Sequence, residues 1–242
     1  MIPTDLKPLL PRDHSWQSNA RKAAITELVA WQKAHQHKPR LLDLGCGVGD
    51  SAAWLAPYVD EWHGVDIADS QEAIERHSRG VDENRIKEFN GVDLPYESET
   101  FDMVYCRQVF EHVRYPDRLL QEIRRILKPG GVFVGSVSSL EPYHSRSYQS
   151  VTPWGFAMWM SDAKLKPSTL RPGVDAFTLM LRSGMRRSRL ARRLMDRSIE
   201  LESWPNLAME LLGRLVLLNA ARRNRMKLQY CGHVVFVAIA ED

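Results

Sequence analysis

Cysteine is scarce in this chain. Its three residues, Cys46, Cys106 and Cys231, are an odd number at wide spacings. That excludes a disulfide framework, and the spacings form no metal-binding pattern, so no metal is expected and a reducing compartment fits best. Long apolar runs are missing as well. The longest useful tracts, Leu215 to Leu218 and Val234 to Ala240, are too short to span a bilayer. The first ten residues carry Asp5, Lys7 and two prolines in place of a continuous apolar stretch, which argues against a signal peptide. A soluble, cytoplasmic protein is expected. There is no internal repeat or low-complexity tract, and no large excess of one charge: the net is +3. The balance is uneven, however. Arg182 to Lys227 holds twelve Lys or Arg against four Asp or Glu, a net of +8, and the remainder carries −5. Such a segment either attracts anions or is the solvated face of helices.

What is present is enough apolar residue, 44% of 242, to bury a sizeable core. Ala20 to Trp31 has helical spacing, with Ser18 or Asn19 as a cap. Leu41 to Leu44 reads as a strand entering a glycine-rich turn, Ser51 to Leu55 as a helix start, and Trp62 to Asp66 as a second strand. A short helix over Ser70 to Ser78 and a strand near Ile86 to Phe89 follow. Phe101 to Cys106 is the fourth strand, Pro116 to Leu127 a helix stopped by Pro129, Gly130 and Gly131, and Val132 to Val137 the fifth strand. Strands alternating with helices over short connections favour a mostly parallel sheet covered on both faces. Beyond Ser138 the order loosens. Thr152 and Pro153 start a helix over Trp154 to Met160, Pro167 and Pro172 point to loops or strand edges, and two helices, Arg186 to Leu201 and Asn206 to Ala221, flank Pro205. Gly232 to Ala240 closes the chain as a buried strand.

The sharpest signal is Gly45-Cys46-Gly47-Val48-Gly49 directly after the first strand. Alternating glycines permit a tight strand-to-helix turn and let a ligand approach the backbone. The spacing differs from the dinucleotide fingerprint GxGxxG. Asp66, at the end of the second strand, stands where a carboxylate accepts from both hydroxyls of a ribose, and Asp43 lies beside the same crevice. A nucleoside ligand meets both requirements, which leaves nicotinamide cofactors and S-adenosylmethionine open.

Six segments in order resemble the class I S-adenosylmethionine-dependent methyltransferases, especially their small-molecule subgroup. They are Leu42-Asp43-Leu44-Gly45-Cys46-Gly47-Val48-Gly49, His63-Gly64-Val65-Asp66-Ile67, Asp93-Leu94-Pro95-Tyr96, Phe101-Asp102-Met103-Val104, Val109-Phe110-Glu111-His112-Val113 and Leu127-Lys128-Pro129-Gly130-Gly131. The resemblance implies a doubly wound, seven-stranded α/β sheet with a helical cap. It divides the chain into a helical lead-in (1–38), a cofactor-binding core (39–181), a basic substrate cap (182–227) and a terminal core strand (228–242). By the same resemblance Gly45, Cys46, Gly47 and Gly49 surround the methionyl part of the cofactor, Asp43 positions its ammonium and Asp66 holds the ribose. Ile67 lies beside adenine, with Asn90, Gly91 and Val92 close by. Asn90 departs from the acid many members carry there, and Asp93 is a second candidate. Arg107 and Gln108 join the methionyl side.

Methyl transfer needs no metal and no protein nucleophile, so the chain's work is enclosure, orientation and, for a hydroxyl acceptor, removal of a proton. His112 and His144 are the candidate bases. Glu111, Tyr143, Arg146 and Tyr148 are candidate acceptor contacts, and Arg192 and Arg193 in the cap can take an anionic group. The leucines of the second cap helix, among them Leu211, Leu212 and Leu215, are expected to pack inward, with contact to the acceptor or to another subunit as alternatives. A small organic acceptor leads, with a slight preference for hydroxyl oxygen. An RNA methyltransferase and a noncatalytic assembly or regulatory protein remain alternatives.

Overall fold

A computed structural model describes residues 5–13, 18–68, 75, 85–142, 146–185 and 203–242. Seven strands form one sheet: β1 (Arg40–Leu44), β2 (Glu61–Ile67), β3 (Ile86–Phe89), β4 (Phe101–Arg107), β5 (Leu127–Ser138), β6 (Leu165–Pro172) and β7 (His233–Ala240). Their order is β3-β2-β1-β4-β5-β7-β6. Pairing is parallel from β3 to β5, and β7 runs antiparallel to both of its neighbours. The helices are α1 (Ala20–His35), α2 (Ser51–Leu55), α3 (Pro116–Ile126), α4 (Pro153–Asp162), α5 (Ala176–Met185), α6 (Trp204–Leu215) and α7 (Ala220–Gln229).

Period-two alternation along the strands divides the core into two layers. Leu42, Leu44, Val104 and Cys106 face the layer holding α3 and α4, whereas Leu41, Met103 and Tyr105 face the layer of α1. α3 buries Leu119, Leu120, Ile123 and Ile126, one apolar stripe at helical spacing. Asn19 caps α1 by accepting from Lys22 N at 2.7 Å, and Thr152 caps α4 by accepting from Gly155 N at 3.1 Å. Pro167 and Pro172 lie in β6, an edge strand, where a missing N–H is tolerated.

Two expected boundaries shift. β5 begins at Leu127, before the Pro129-Gly130-Gly131 stop. Leu127 pairs with Phe101 and Val132 with Met103, so the extra residues bulge out of the ladder. The expected helix from Asn206 to Ala221 is two helices. Ser203 caps α6, with Pro205 in its first turn, and Asn219 caps α7 by accepting from Arg222 N at 3.0 Å. Between them Leu217 adopts a left-handed φ of 55° and ends α6, a break no glycine or proline announces. The helix expected over Arg186 to Leu201 lies outside the described residues, and so does the one over Ser70 to Ser78 apart from Glu75.

The chain between β6 and β7 carries α5 to α7. Pro172 at the end of β6 pairs with Val234, and His233 at the start of β7 pairs with Ser138 at the end of β5. The insertion therefore leaves and rejoins the sheet at the edge where the parallel strands end.

Candidate active site

At that edge β1 runs into the glycine turn. Gly45, Gly47 and Gly49 have φ of 69°, 57° and 82°, a left-handed conformation costly for any residue with a Cβ. Gly45 is required twice over, because a Cβ there would lie 2.3 Å from Val109 Cγ2. The turn is tied to β2. Gly45 N and Cys46 N donate to Val65 O at 2.8 and 3.2 Å, and Gly47 N donates to Asp66 Oδ2 at 2.6 Å. Asp66 Oδ1 accepts from Ile67 N at 2.7 Å. Both oxygens of Asp66 thus help to hold the turn, and the carboxylate stands at its mouth.

Asp43, at the end of β1, is buried and accepts from Ser51 Oγ at the start of α2. Burial pushes its carboxyl up to about 7, against the lowering effect of the Ser51 hydroxyl and of Arg107, while Asp66 pushes the same way as burial. An ammonium arriving beside Asp43 would favour the carboxylate. Across the crevice Ile67 faces Gly91, its Cγ2 4.0 Å from where a Gly91 Cβ would stand. Asn90 Oδ1 accepts from Val92 N and Asp93 N at 2.9 and 2.8 Å, and Asn90 Nδ2 donates to Asp93 Oδ2 at 2.7 Å. The amide oxygen of Asn90 is thus occupied in shaping its own loop.

β4 ends in Arg107, exposed, and Gln108, whose φ is 56°. Gln108 N and Nε2 both donate to Ser136, at 2.9 Å each, which holds this left-handed residue in place. A short 3-10 turn, Phe110–His112, follows. Phe110 anchors it in an aromatic cluster with Phe156 (5.1 Å between ring centroids) and Phe133 (6.2 Å). On the opposite side Glu111 O accepts from Tyr148 N at 2.7 Å, and Gln149 Nε2 donates to Phe110 O and Val113 O.

A cavity of about 280 Å³ lies in this corner, lined by Glu111, Ser138, Glu141, Ser147, Tyr148 and Gln149 among others. Glu141 Oε2 accepts from Ser138 Oγ at 2.8 Å and lies 2.9 Å from His233 Nε2. The structure therefore gathers Glu111 and Tyr148 on one cavity, with half-buried His112 at the end of the same turn and Arg146 exposed nearby. Tyr143, His144, Arg192 and Arg193 lie outside the described residues. His233 is the addition that sequence reading missed. It stands alone at the start of the last strand, some ninety positions from Glu141, and only the antiparallel β5–β7 pairing brings the two together.

Val109 to His112 is thus a shared wall: Val109 fills the space against Gly45, and two residues on Glu111 borders the cavity. The fold and this edge define a class I methyltransferase architecture, with its glycine turn after β1 and its acid after β2. Residues 42–135, from β1 through most of β5, match the methyltransferase domain family. In sequence it is similar to the uncharacterized methyltransferase YcgJ of Bacillus subtilis, 33% identical over 100 residues, 39% of each chain. The ubiquinone biosynthesis O-methyltransferase of Paraburkholderia phymatum is 31% identical over 133 residues, 48% of this chain and 54% of the relative. The chain spans about half or less of the length of these relatives. In fold it is similar to the YcgJ crystal structure (TM-score 0.54, 18% identity, 90% of this chain and 99% of that one). It is equally similar to the [4+2]-cyclase SpnF (TM-score 0.53, 19% identity, 94% and 85%). A fold shared with a cyclase does not by itself fix the reaction.

Among the described residues no helix is long and apolar enough to cross a membrane.

Proposed function

We propose that this protein transfers a methyl group from S-adenosylmethionine to a small organic acceptor, with a hydroxyl oxygen favoured. One observation carries the reading: the wall from Val109 to His112 touches the glycine turn on one side and borders a polar cavity on the other. Donor and acceptor sites so joined give the proximity that methyl transfer depends on.

The residues fit the cofactor. The glycines from Gly45 to Gly49 keep side chains out of the turn, Asp66 sets a carboxylate beside it where ribose hydroxyls would lie, and Asp43 is a buried carboxyl that an ammonium would stabilise as its anion. Ile67 and Gly91 form the adenine side, and Arg107 and Gln108 stand at the methionyl end. When bound, S-adenosylmethionine supplies a methyl group on a positively charged sulfur. The chain's part is to hold the acceptor in line, keep water out and, for a hydroxyl, take its proton. His112 and His144 are the bases expected from sequence. His233, held against Glu141, joins them, since a carboxylate beside an imidazole orients the ring. Glu111, Tyr148 and Glu141 would line the acceptor, with Tyr143 and Arg146 beside them. Residues 182–227 would serve as the substrate cap, with Arg192 and Arg193 meeting any anionic group.

The test is transfer of label from methyl-labelled S-adenosylmethionine to a cellular small-molecule extract, followed by location of the methyl. The reading requires label on a small molecule. Label on RNA would replace it with the nucleic-acid alternative, and cofactor binding with no transfer would favour a noncatalytic role.

A further inference from the structure

The α6–α7 hairpin is turned inside out. The residues α6 buries are Asn206, Glu210 and Gly213, while Trp204, Leu211, Leu212 and Leu215 are exposed, Leu215 by 78%. α7 likewise buries Arg223, Asn224 and Lys227, beside Leu228. These polar groups have partners: Glu210 accepts from Arg223 Nε and Lys227 Nζ at 3.0 Å each, and Asn206 Nδ2 donates to Gly173 O at 2.8 Å. The inversion is therefore a built arrangement. A helix facing only water and core carries its polarity the other way.

The tip extends the pattern. α6 closes with Leu217 N donating to Arg214 O at 3.0 Å and Leu218 N donating to Gly213 O at 2.8 Å. In this cap the left-handed residue is ordinarily glycine. Here it is Leu217, strained in its backbone and 91% exposed. Neither local conformation nor packing accounts for a leucine there.

Charge selects the partner. From 203 to 230 the single acid is Glu210, which is buried and pairs with Arg214 at 3.0 Å, and the exposed charges besides that pair are Arg222 and Arg225. We propose that the α6–α7 tip is a docking surface for an anionic lipid bilayer: the leucines enter the acyl boundary and the arginines meet lipid phosphates. A second copy of this chain fits worse. A twofold contact would set these arginines against their own copies, with no exposed carboxylate in the hairpin to answer them.

The full chain is sedimented with vesicles of phosphatidylcholine alone and with vesicles of equal parts phosphatidylcholine and phosphatidylglycerol. Binding to the mixed vesicles is expected, weaker by about tenfold or more on phosphatidylcholine alone and weakened by about 1 M salt. Leu215→Glu with Leu217→Glu should lower affinity for mixed vesicles by at least about tenfold at an unchanged melting temperature. Leu217→Gly separates the roles: relief of strain should raise the melting temperature while vesicle binding falls. No binding to mixed vesicles, or equal binding by all variants, overturns the proposal. A dimer that the double Glu variant dissociates would assign the tip to a second copy. A marked fall in the double variant's melting temperature would show that the leucines pack within the chain.

Discussion

The glycine turn and the α6–α7 hairpin both bury carboxylates, and they treat them in opposite ways. Asp43 sits under the turn with a hydroxyl for company, and burial raises its carboxyl to about 7. Glu210 is equally enclosed, but Lys227, then Arg214 and Arg223, hold its carboxyl below the usual range although burial alone would raise it. One carboxyl awaits a cation and the other already has its cations. The first arrangement suits a ligand site, the second a structural joint.

Opposite pH responses follow. Folding favours the protonated form of Asp43, so its contribution to stability declines as pH rises from its ordinary 3.8 to about 7. Folding favours the anion of Glu210, so the hairpin's contribution is present above the ordinary carboxylate range and is lost as pH falls through the lowered value.

The largest expected effect is in the hairpin. Glu210→Ala would leave Lys227, fully buried, and Arg223, nearly so, without their shared carboxylate. Loss of one member of such a cluster costs about 3–5 kcal/mol, read by urea unfolding, with cofactor affinity unchanged. Asp66→Ala comes next, because it removes a charged acceptor from Gly47 N and from the proposed ribose position. A loss of about 1.5–3 kcal/mol in cofactor binding is expected by calorimetry, with a smaller change in stability. Smallest is the titration of Asp43. Affinity for S-adenosylmethionine should rise with pH by at most about tenfold per unit below 7 and level off above it. Asp43→Asn should flatten that profile, and a profile already flat in the wild-type protein would sever Asp43 from the ammonium.

The two regions also differ in how far the sequence revealed them. The strands from Leu41 to Val137 announce themselves by apolar runs bounded by Gly, Pro and Asp, and the turn by its glycines, because each of those conformations needs a particular local residue. The hairpin gave no such sign. Its leucines at helical spacing pointed inward by the ordinary rule, yet Leu211, Leu212 and Leu215 are exposed, because the interior is taken by the ion cluster on Glu210. The break at Leu217 lacks a glycine, so two helices read as one. At the candidate site, the places of Asp43 and Asp66 at the strand ends and of the turn between them were legible from the order of elements. The Glu141–His233 pair was not, since strand pairing across a long insertion leaves no periodic trace. Asn90 was legible as a polar residue after β3, but not its oxygen's bonds to Val92 N and Asp93 N.

The central claim is that one wall, Val109 to His112, serves donor and acceptor sites together. A crystal structure of the protein with S-adenosylhomocysteine tests it most directly. The account predicts the nucleoside across the glycine turn, its ribose hydroxyls on Asp66, and its sulfur facing the wall next to the cavity bordered by Glu111 and Tyr148. A nucleoside bound elsewhere, or a sulfur facing away from Val109 to His112, would contradict it.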